Sequence, residues 1–84
     1  PVPYLSPLES RLLMVLYGHL GQVCSKESIV EAVYGREYIP EDDAALQRLV
    51  RRLREKIEPD PTSPCYITSV RGYGYKLSAP EQRA

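Results

Sequence analysis

The stretch DAALQRLVRRLREKI, residues 43–57, decides the fold of this 84-residue chain. Its apolar residues recur at the spacing of one helix face: Leu46, Leu49, Val50, Leu53 and Ile57. The opposite side carries polar and basic side chains: Gln47, Arg48 and Arg51, flanked by Arg52 and Arg54. The stretch therefore predicts a helix with one packed face and one basic face.

The residues on either side of this stretch set the limits of the helix. Asp42 or Asp43 is expected to cap its start, where acidic side chains also complement the helix dipole. Prolines follow at positions 59, 61 and 64, and they prevent the helix from continuing. We therefore predict a helix over residues 43–57.

A shorter helix is predicted near the start of the chain. Ser6, Pro7 and Glu9 form its start signal, with an N-cap, a proline in the first turn and a capping box. Apolar residues then recur at spacings of three and four, and the glycines at 18 and 21 follow. We expect this helix over residues 7–19.

A second short helix is predicted from Ser25 to Gly35. Residues 22–24, between the two short helices, form an extended link that is able to pair with a strand elsewhere. Residues 36–42 contain Pro40 and several acids, and we expect a loop there.

The C-terminal part of the chain is predicted to form a β-hairpin. Residues 66–70 are mainly β-branched and aromatic, residues 71–74 supply the turn, and residues 75–77 form the returning strand. The polar tail, residues 78–84, is expected to be frayed. Together these elements predict one α+β domain over residues 1–84, a winged helix-turn-helix of three helices with a C-terminal hairpin wing.

The charges of the chain sum to zero but are unevenly distributed. Five of the eleven basic residues fall close together: Arg48, Arg51, Arg52, Arg54 and Lys56. Four acids lie just before them: Glu37, Glu41, Asp42 and Asp43. A neutral protein can therefore carry one strongly positive surface, and a polyanion responds to that local field.

A short helix followed by a longer helix with a basic face is the plan of a helix-turn-helix, whose second helix enters the major groove of DNA. The hairpin places Arg71 at a glycine-flanked tip, from which an arginine can enter a minor groove. Two plainer interpretations stay open at this point. The basic face could be an ordinary solvated surface, and Arg71 could be a simple turn residue.

The sequence offers no group of residues suited to catalysis. Ser25 and Ser28 lie beside Glu27 but are typical of helix capping, and residues 72–74 lack the strand-to-helix setting of a phosphate-binding loop. Cys24, Cys65 and His19 do not make a convincing zinc site, and we expect both cysteines to be reduced thiols in or near the core. We expect no enzymatic activity, no cofactor and no metal. No stretch approaches the roughly 18 apolar residues of a membrane span.

Four segments resemble successive signatures of the OmpR/PhoB-type winged helix output domain. They are LSPLE at 5–9, GQVCSK at 21–26, RLREKI at 52–57 and YITSVRGYGY at 66–75. They occur in the order and spacing of that family, and residues 6–77 form the core of the match. The segment VRGYGY is highly specific in this context.

The resemblance implies sequence-specific binding to double-stranded DNA by a bacterial, cytoplasmic transcriptional regulator. The resemblance favours a two-component response regulator with an N-terminal receiver domain as the parent protein, and one-component and membrane-anchored proteins also carry such domains. The residues expected to contact DNA are Gln47, Arg48, Arg51, Arg52, Arg54 and Arg71. The loop 35–42 corresponds to a segment that touches RNA polymerase in some members, and such domains often bind direct repeats as tandem homodimers.

Two features depart from the family pattern. Members usually begin with a four-stranded sheet, whereas only residues 1–5 precede the first helix here. We expect that sheet to be largely absent from residues 1–84, either because it precedes Pro1 in a longer chain or because the protein lacks it. Ala44 and Ala45 stand where members commonly carry an arginine and a threonine that contact DNA. These alanines and the zero net charge leave open a degenerate winged helix that acts as a protein-interaction module. The salt dependence of binding to duplex DNA separates the two interpretations.

Overall fold

A computed structural model describes residues 4–79 as three helices and a three-stranded antiparallel sheet. In chain order the elements are α1 (Pro7–Tyr17), β1 (Val23–Ser25), α2 (Lys26–Tyr34), α3 (Asp42–Ile57), β2 (Ile67–Val70) and β3 (Gly74–Leu77). The elements follow the predicted order, and the α+β winged helix is confirmed.

The start of α1 is fixed by the predicted capping box. The Glu9 N–H donates to Ser6 Oγ at 3.2 Å, and the Ser6 N–H donates to Glu9 Oε1 at 2.9 Å. The helix ends at Tyr17, earlier than predicted, because the following residues form a tighter turn in which the His19 N–H donates to the Leu16 carbonyl.

The limits of α2 agree with the prediction. Ser25 Oγ accepts a hydrogen bond from the Ser28 N–H at 3.1 Å and so caps the helix. Gly35 ends it with φ at 72°, in the left-handed region that glycine adopts without a steric penalty. The predicted loop follows directly and leads into α3.

The start of α3 differs from the prediction. Its N-cap residue is Glu41, which has helical backbone angles and makes no capping hydrogen bond with its side chain. The carbonyls of Ile39 and Pro40 accept hydrogen bonds from the N–H groups of Asp42 and Asp43. The prediction that Asp42 or Asp43 caps the helix is therefore wrong, because a backbone turn already supplies the acceptors.

The sheet has the strand order β1-β3-β2, with β3 antiparallel to both neighbours. Gly74 lies opposite Ser25 on one side and Val70 on the other. A Cβ on Gly74 would lie 1.8 Å from the Cys24 carbonyl oxygen, so a glycine is needed where β1 and β3 approach. The extended link predicted before α2 is therefore paired, and it ties the start of α2 to the hairpin.

The core is formed by apolar side chains from all six elements. They are Leu12, Leu16, Cys24, Ile29, Val30, Val33, Leu46, Leu49, Val50, Leu53, Ile67 and Leu77. Four of the five apolar residues predicted for the packed face of α3 belong to this set, and Ile57 packs against it while remaining partly exposed. The basic face of α3 is consequently turned outward.

The two chain ends lie partly outside the described residues. Of the predicted frayed tail, residues 78–84, only 78 and 79 are described, and the Ser78 N–H donates to the Tyr66 carbonyl at 2.8 Å. Residues 4–6 form no strand. Within the described part of the chain, the sheet thus has three strands.

Candidate nucleic-acid interface

An open cleft of about 470 Å³ separates α3 from the hairpin. Its polar lining consists of Asp43, Gln47, Arg51 and Arg54 from α3, Ser69, Arg71, Tyr73 and Tyr75 from the hairpin, and Lys26 from α2. Four of the six residues predicted to contact DNA therefore border one surface, although they lie in two separate parts of the sequence.

The period of the helix determines which α3 side chains reach the cleft. At about 100° per residue, Asp43, Gln47, Arg51 and Arg54 fall within roughly 80° of the helix circumference. Gln47 and Arg51 are exposed on this side, one turn apart. Both are therefore presented to whatever fills the cleft.

Arg48 and Arg52, the other two predicted residues of α3, are exposed but do not line the cleft. Arg48 lies about 60° around the helix from Arg51 and shares its outward face. Arg52 lies about 100° from Arg51, on the side away from the hairpin. The basic residues of α3 thus form a band that runs from Arg54, inside the cleft, to Arg52, beyond it.

The guanidinium of Arg54 is bonded to the hairpin. Its Nε and Nη2 atoms donate to the Ile67 carbonyl at 3.2 and 2.9 Å, and Nη2 also donates to Ser69 Oγ at 3.0 Å. The Tyr75 ring centre lies 5.9 Å from the guanidinium carbon, within the range of a cation–π contact. Arg54 lines the cleft with Nε and Nη2 bonded to the hairpin, whereas the side chain of Arg51 is exposed.

The tip of the hairpin presents Arg71 and Tyr73 to solvent. Gly72 between them has φ at 74°, and the Tyr73 N–H donates to the Val70 carbonyl at 2.9 Å to close the turn. Tyr73 is 52% exposed. Both side chains are therefore accessible from solvent at the tip of the wing.

Lys26, Asp43 and Tyr38 form a hydrogen-bonded group next to the cleft that sequence reasoning missed. The Tyr38 hydroxyl donates to Asp43 Oδ1 at 2.5 Å, and Lys26 Nζ donates to Asp43 Oδ2 at 3.3 Å. The bond from Tyr38, followed by that from Lys26, lowers the pKa of Asp43. The bond to Asp43 in turn raises the pKa of Lys26. The carboxylate is therefore paired and does not stand alone against an approaching phosphate.

One sequence signal could have placed Lys26 at the cleft. Lys26 lies two residues beyond the link that was expected to pair with another strand, and its N–H donates to the Tyr73 carbonyl at 2.9 Å. Had the link been assigned to the hairpin, Lys26 would have been expected beside the wing.

The loop between α2 and α3 is held by a buried carboxylate. Asp42 accepts hydrogen bonds from Arg36 Nη1 at 2.9 Å, from Arg36 Nη2 at 2.7 Å and from the Ile39 N–H at 2.9 Å. These bonds, the one from Arg36 first, lower the pKa of Asp42 to about 2. The bidentate pair therefore fixes the path of the loop into α3.

Residues 4–79 contain no group of three histidine, cysteine or acidic side chains arranged to hold a metal ion. Over the same residues, no helix is both long and apolar enough to cross a bilayer.

The helix, the wing and the basic cleft between them define a class, the winged helix domains of transcriptional regulators. Residues 3–77 match the family model described as "Transcriptional regulatory protein, C terminal". The chain belongs to this family, and the resemblance to OmpR/PhoB-type domains seen in the sequence is confirmed.

Two curated relatives are similar over most of the chain. The "Alkaline phosphatase synthesis transcriptional regulatory protein SphR" of Synechococcus elongatus is 40% identical over 73 residues, which are 87% of this chain and 28% of that protein. The "Transcriptional regulatory protein AfsQ1" of Streptomyces coelicolor is 39% identical over 77 residues, which are 92% of this chain and 34% of that protein. The chain thus spans about a third of the length of these relatives.

A solved structure shares the fold. The DNA-binding domain of RstA from Klebsiella pneumoniae, crystallised in complex with the RstA box, superposes with a TM-score of 0.80 at 28% sequence identity. The match covers 90% of this chain and 74% of that one.

Proposed function

We propose that this domain, with residues 6–77 as its working unit, binds double-stranded DNA sequence-specifically as the output part of a transcriptional regulator. One observation carries the proposal: α3 and the wing present exposed arginines, Arg51 and Arg71, to the same cleft. The RstA domain, which has the same fold, was crystallised with the RstA box.

In this proposal α3 lies in the major groove, which at about 12 Å is wide enough to admit a helix. Gln47, Arg48 and Arg51 face base edges, where a glutamine pairs best with adenine and an arginine with guanine. Ala44 is exposed on the same outward face and suits contact with a thymine methyl group.

The remaining predicted residues have different tasks. Arg71, at the exposed tip of the wing, enters the adjacent minor groove. Arg52, at the far side of the basic band, reaches a backbone phosphate. Arg54 acts within the protein, because its Nε and Nη2 atoms are bonded to the hairpin.

For the whole protein, we propose a cytoplasmic bacterial response regulator with an N-terminal receiver domain, in keeping with the regulators that share this domain. Such a protein would bind direct repeats as a tandem homodimer, and its loop 35–42 would contact RNA polymerase. The proposed activity is binding to DNA, with no reaction catalysed by this domain.

The proposal is tested by fluorescence anisotropy of a labelled random-sequence duplex titrated with the domain over a range of salt concentrations. On a random-sequence duplex, where specific base contacts are not made, the exposed arginines Arg48, Arg51, Arg52 and Arg71 are each expected to contact a phosphate. Four such contacts predict a log–log slope near −4, since each contributes roughly −0.9. The double variant Arg48→Ala/Arg51→Ala should flatten the slope by about 2.

Arg11→Ala is the matched control, because Arg11 is an exposed arginine on α1, away from the cleft. It should leave the slope nearly unchanged. Absence of binding by the folded domain at low salt would contradict DNA binding and favour a winged helix that recognises protein.

A further inference from the structure

Two charged side chains, Arg54 of α3 and Glu58 at its C-terminal end, hold the hairpin, and both bind the backbone of Ile67. Arg54 donates to the Ile67 carbonyl from Nη2 at 2.9 Å and from Nε at 3.2 Å. Glu58, the residue directly after α3, accepts the Ile67 N–H at 2.8 Å with Oε2. Both backbone polar groups of Ile67 are therefore bonded to α3 and its C-terminal cap.

The strand register explains why these backbone groups are available. The Ser78 N–H donates to the Tyr66 carbonyl, so the next pair, Ile67 and Leu77, is a non-hydrogen-bonded pair of the antiparallel ladder. The N–H and carbonyl of Ile67 consequently point away from β3, and β2 is an edge strand. Arg54 and Glu58 occupy the edge where a fourth strand would otherwise pair.

Glu58 is the deeper of the two anchors. Only 6% of its surface is exposed, and burial of a carboxylate is unfavourable unless the group is well hydrogen-bonded. Its Oε1 atom accepts from the N–H groups of Cys65 and Tyr66 at 2.9 and 3.1 Å, and Oε2 accepts from Tyr66 and Ile67 at 3.2 and 2.8 Å. The carboxylate thus fixes three consecutive amide groups at the start of the hairpin.

Arg54 extends the attachment toward the tip of the wing. Besides Ile67, its guanidinium binds Ser69 Oγ at 3.0 Å and lies over the Tyr75 ring on the returning strand. Ser69 is two residues from Arg71 in sequence. The two anchors therefore hold the hairpin from its first residue almost to its tip.

We infer that Arg54 and Glu58 are positioning residues that set the distance and angle between α3 and the wing. With both anchors in place, Arg71 reaches the minor groove while α3 occupies the adjacent major groove. The inference rests on the proposed function. It states that the two residues affect DNA binding through Arg71 and not through contacts of their own.

A double-mutant cycle on duplex DNA tests this for Arg54. Arg71→Ala is expected to weaken binding about tenfold, as loss of a specific arginine contact does. Arg54→Gln should weaken binding by a similar factor, because it displaces Arg71 from the DNA. The double variant should bind about as weakly as either single variant, because both substitutions remove the same contact between Arg71 and DNA. Arg52→Gln with Arg71→Ala is the comparison, and these two effects should multiply, since Arg52 is proposed to bind a phosphate directly.

The substitution Glu58→Gln tests the inference by whether DNA affinity rises or falls. Removing a negative charge should strengthen binding to a polyanion if charge alone matters. The inference predicts weaker binding, because the new amide group would face backbone N–H donors. Glu55→Gln is the matched control, since Glu55 is an exposed acid on the outer face of α3, and it should bind equally well or more tightly.

Each variant is first shown to be folded by its thermal unfolding curve, and if Glu58→Gln does not fold, the Arg54 cycle decides. Absence of DNA binding by the unaltered domain would overturn the proposed function itself. Binding by the unaltered domain, with multiplying effects of Arg54→Gln and Arg71→Ala, would overturn only this inference, as would tighter binding by Glu58→Gln.

Discussion

Several charged residues of this domain are bonded within the protein, and others present their charge to solvent. Asp42, Asp43, Arg54 and Glu58 all make hydrogen bonds to side chains or backbone groups of neighbouring elements. Arg48, Arg51, Arg52 and Arg71 are exposed. The exposed charges that remain on α3 and the wing are therefore mainly basic, although the whole chain has no net charge.

Asp42 is expected to make stability depend on pH. Its pKa in the folded domain is about 2, against an ordinary value of 3.8. Because the folded-state value is the lower one, the ionised carboxylate favours folding. This contribution is complete above about pH 4 and is lost as the pH falls toward 2. The difference in unfolding free energy between the natural domain and Asp42→Asn, measured with urea, should therefore shrink over that range.

Glu37→Gln serves as the control for this titration, because Glu37 is an exposed acid in the same loop. It should change the unfolding free energy little at any pH. A difference for Asp42→Asn that stays constant between pH 4 and pH 2 would contradict the assigned role of the Arg36 pair.

Gly74 is expected to tolerate no side chain. A Cβ there would collide with the Cys24 carbonyl, a backbone atom that cannot move aside without separating β1 from β3. Gly74→Ala should cost about 3 kcal/mol or more, at the upper end of overpacking effects. Gly72→Ala is the comparison, because a Cβ on Gly72 would meet no neighbouring atom. The left-handed backbone at Gly72 alone disfavours alanine, by about 1–2 kcal/mol. Equal losses in urea unfolding would contradict the close approach.

At the scale of elements, periodicity and start signals predicted all three helices, and alternation with turn residues predicted the hairpin. These patterns are local, because they reflect which face of a segment is buried and how its ends are capped. The pairing of β1 could only be suggested, since three residues carry too little pattern to name a partner strand. The acid cap of α3 was predicted wrongly, because the turn at residues 39–41 already supplies the acceptors.

The candidate site shows the same division between local and long-range information. The helical period placed Gln47, Arg48 and Arg51 on the outer face of α3 correctly. It could not show that Arg54 is bonded to Ile67 and Ser69, because those contacts join residues far apart in sequence. Sequence periodicity thus predicts on which face of the helix a side chain lies, but not which distant residue it will contact.

The packing of α1 against α3 is reinforced by one ion pair. Lys56 Nζ donates to Glu9 Oε1 at 2.7 Å, and this bond, with that from the Ser6 N–H, lowers the pKa of the buried Glu9. Lys56→Met should destabilise the domain by about 1–3 kcal/mol, because it leaves a buried carboxylate without its cation.

A double-mutant cycle with Glu9→Gln checks this pair. Once the carboxylate is neutral, loss of the lysine should matter much less, so the two changes should be less than additive in urea unfolding. Strict additivity would show that the bridge does not join the two helices energetically.

At the scale of the whole molecule, the fold works as a frame that holds one helix and one hairpin tip at a fixed separation. β1 ties the hairpin to α2, Glu58 and Arg54 tie it to α3, and the shared core joins all six elements. A major groove and its neighbouring minor groove can then be contacted together without ordering the domain first, which reduces the entropic cost of binding.

Titration of the isotope-labelled domain with duplex DNA, followed by amide chemical shifts, locates the DNA-binding surface residue by residue. We expect the shifts to concentrate on the outer face of α3 and on residues 69–75, with α1 almost unaffected. In the same titration of the Arg71→Ala variant, the DNA-induced shifts should disappear from the wing and persist on α3. Shifts concentrated on α1, or none on a folded domain at low salt, would contradict the assignment of the cleft as the DNA-binding surface.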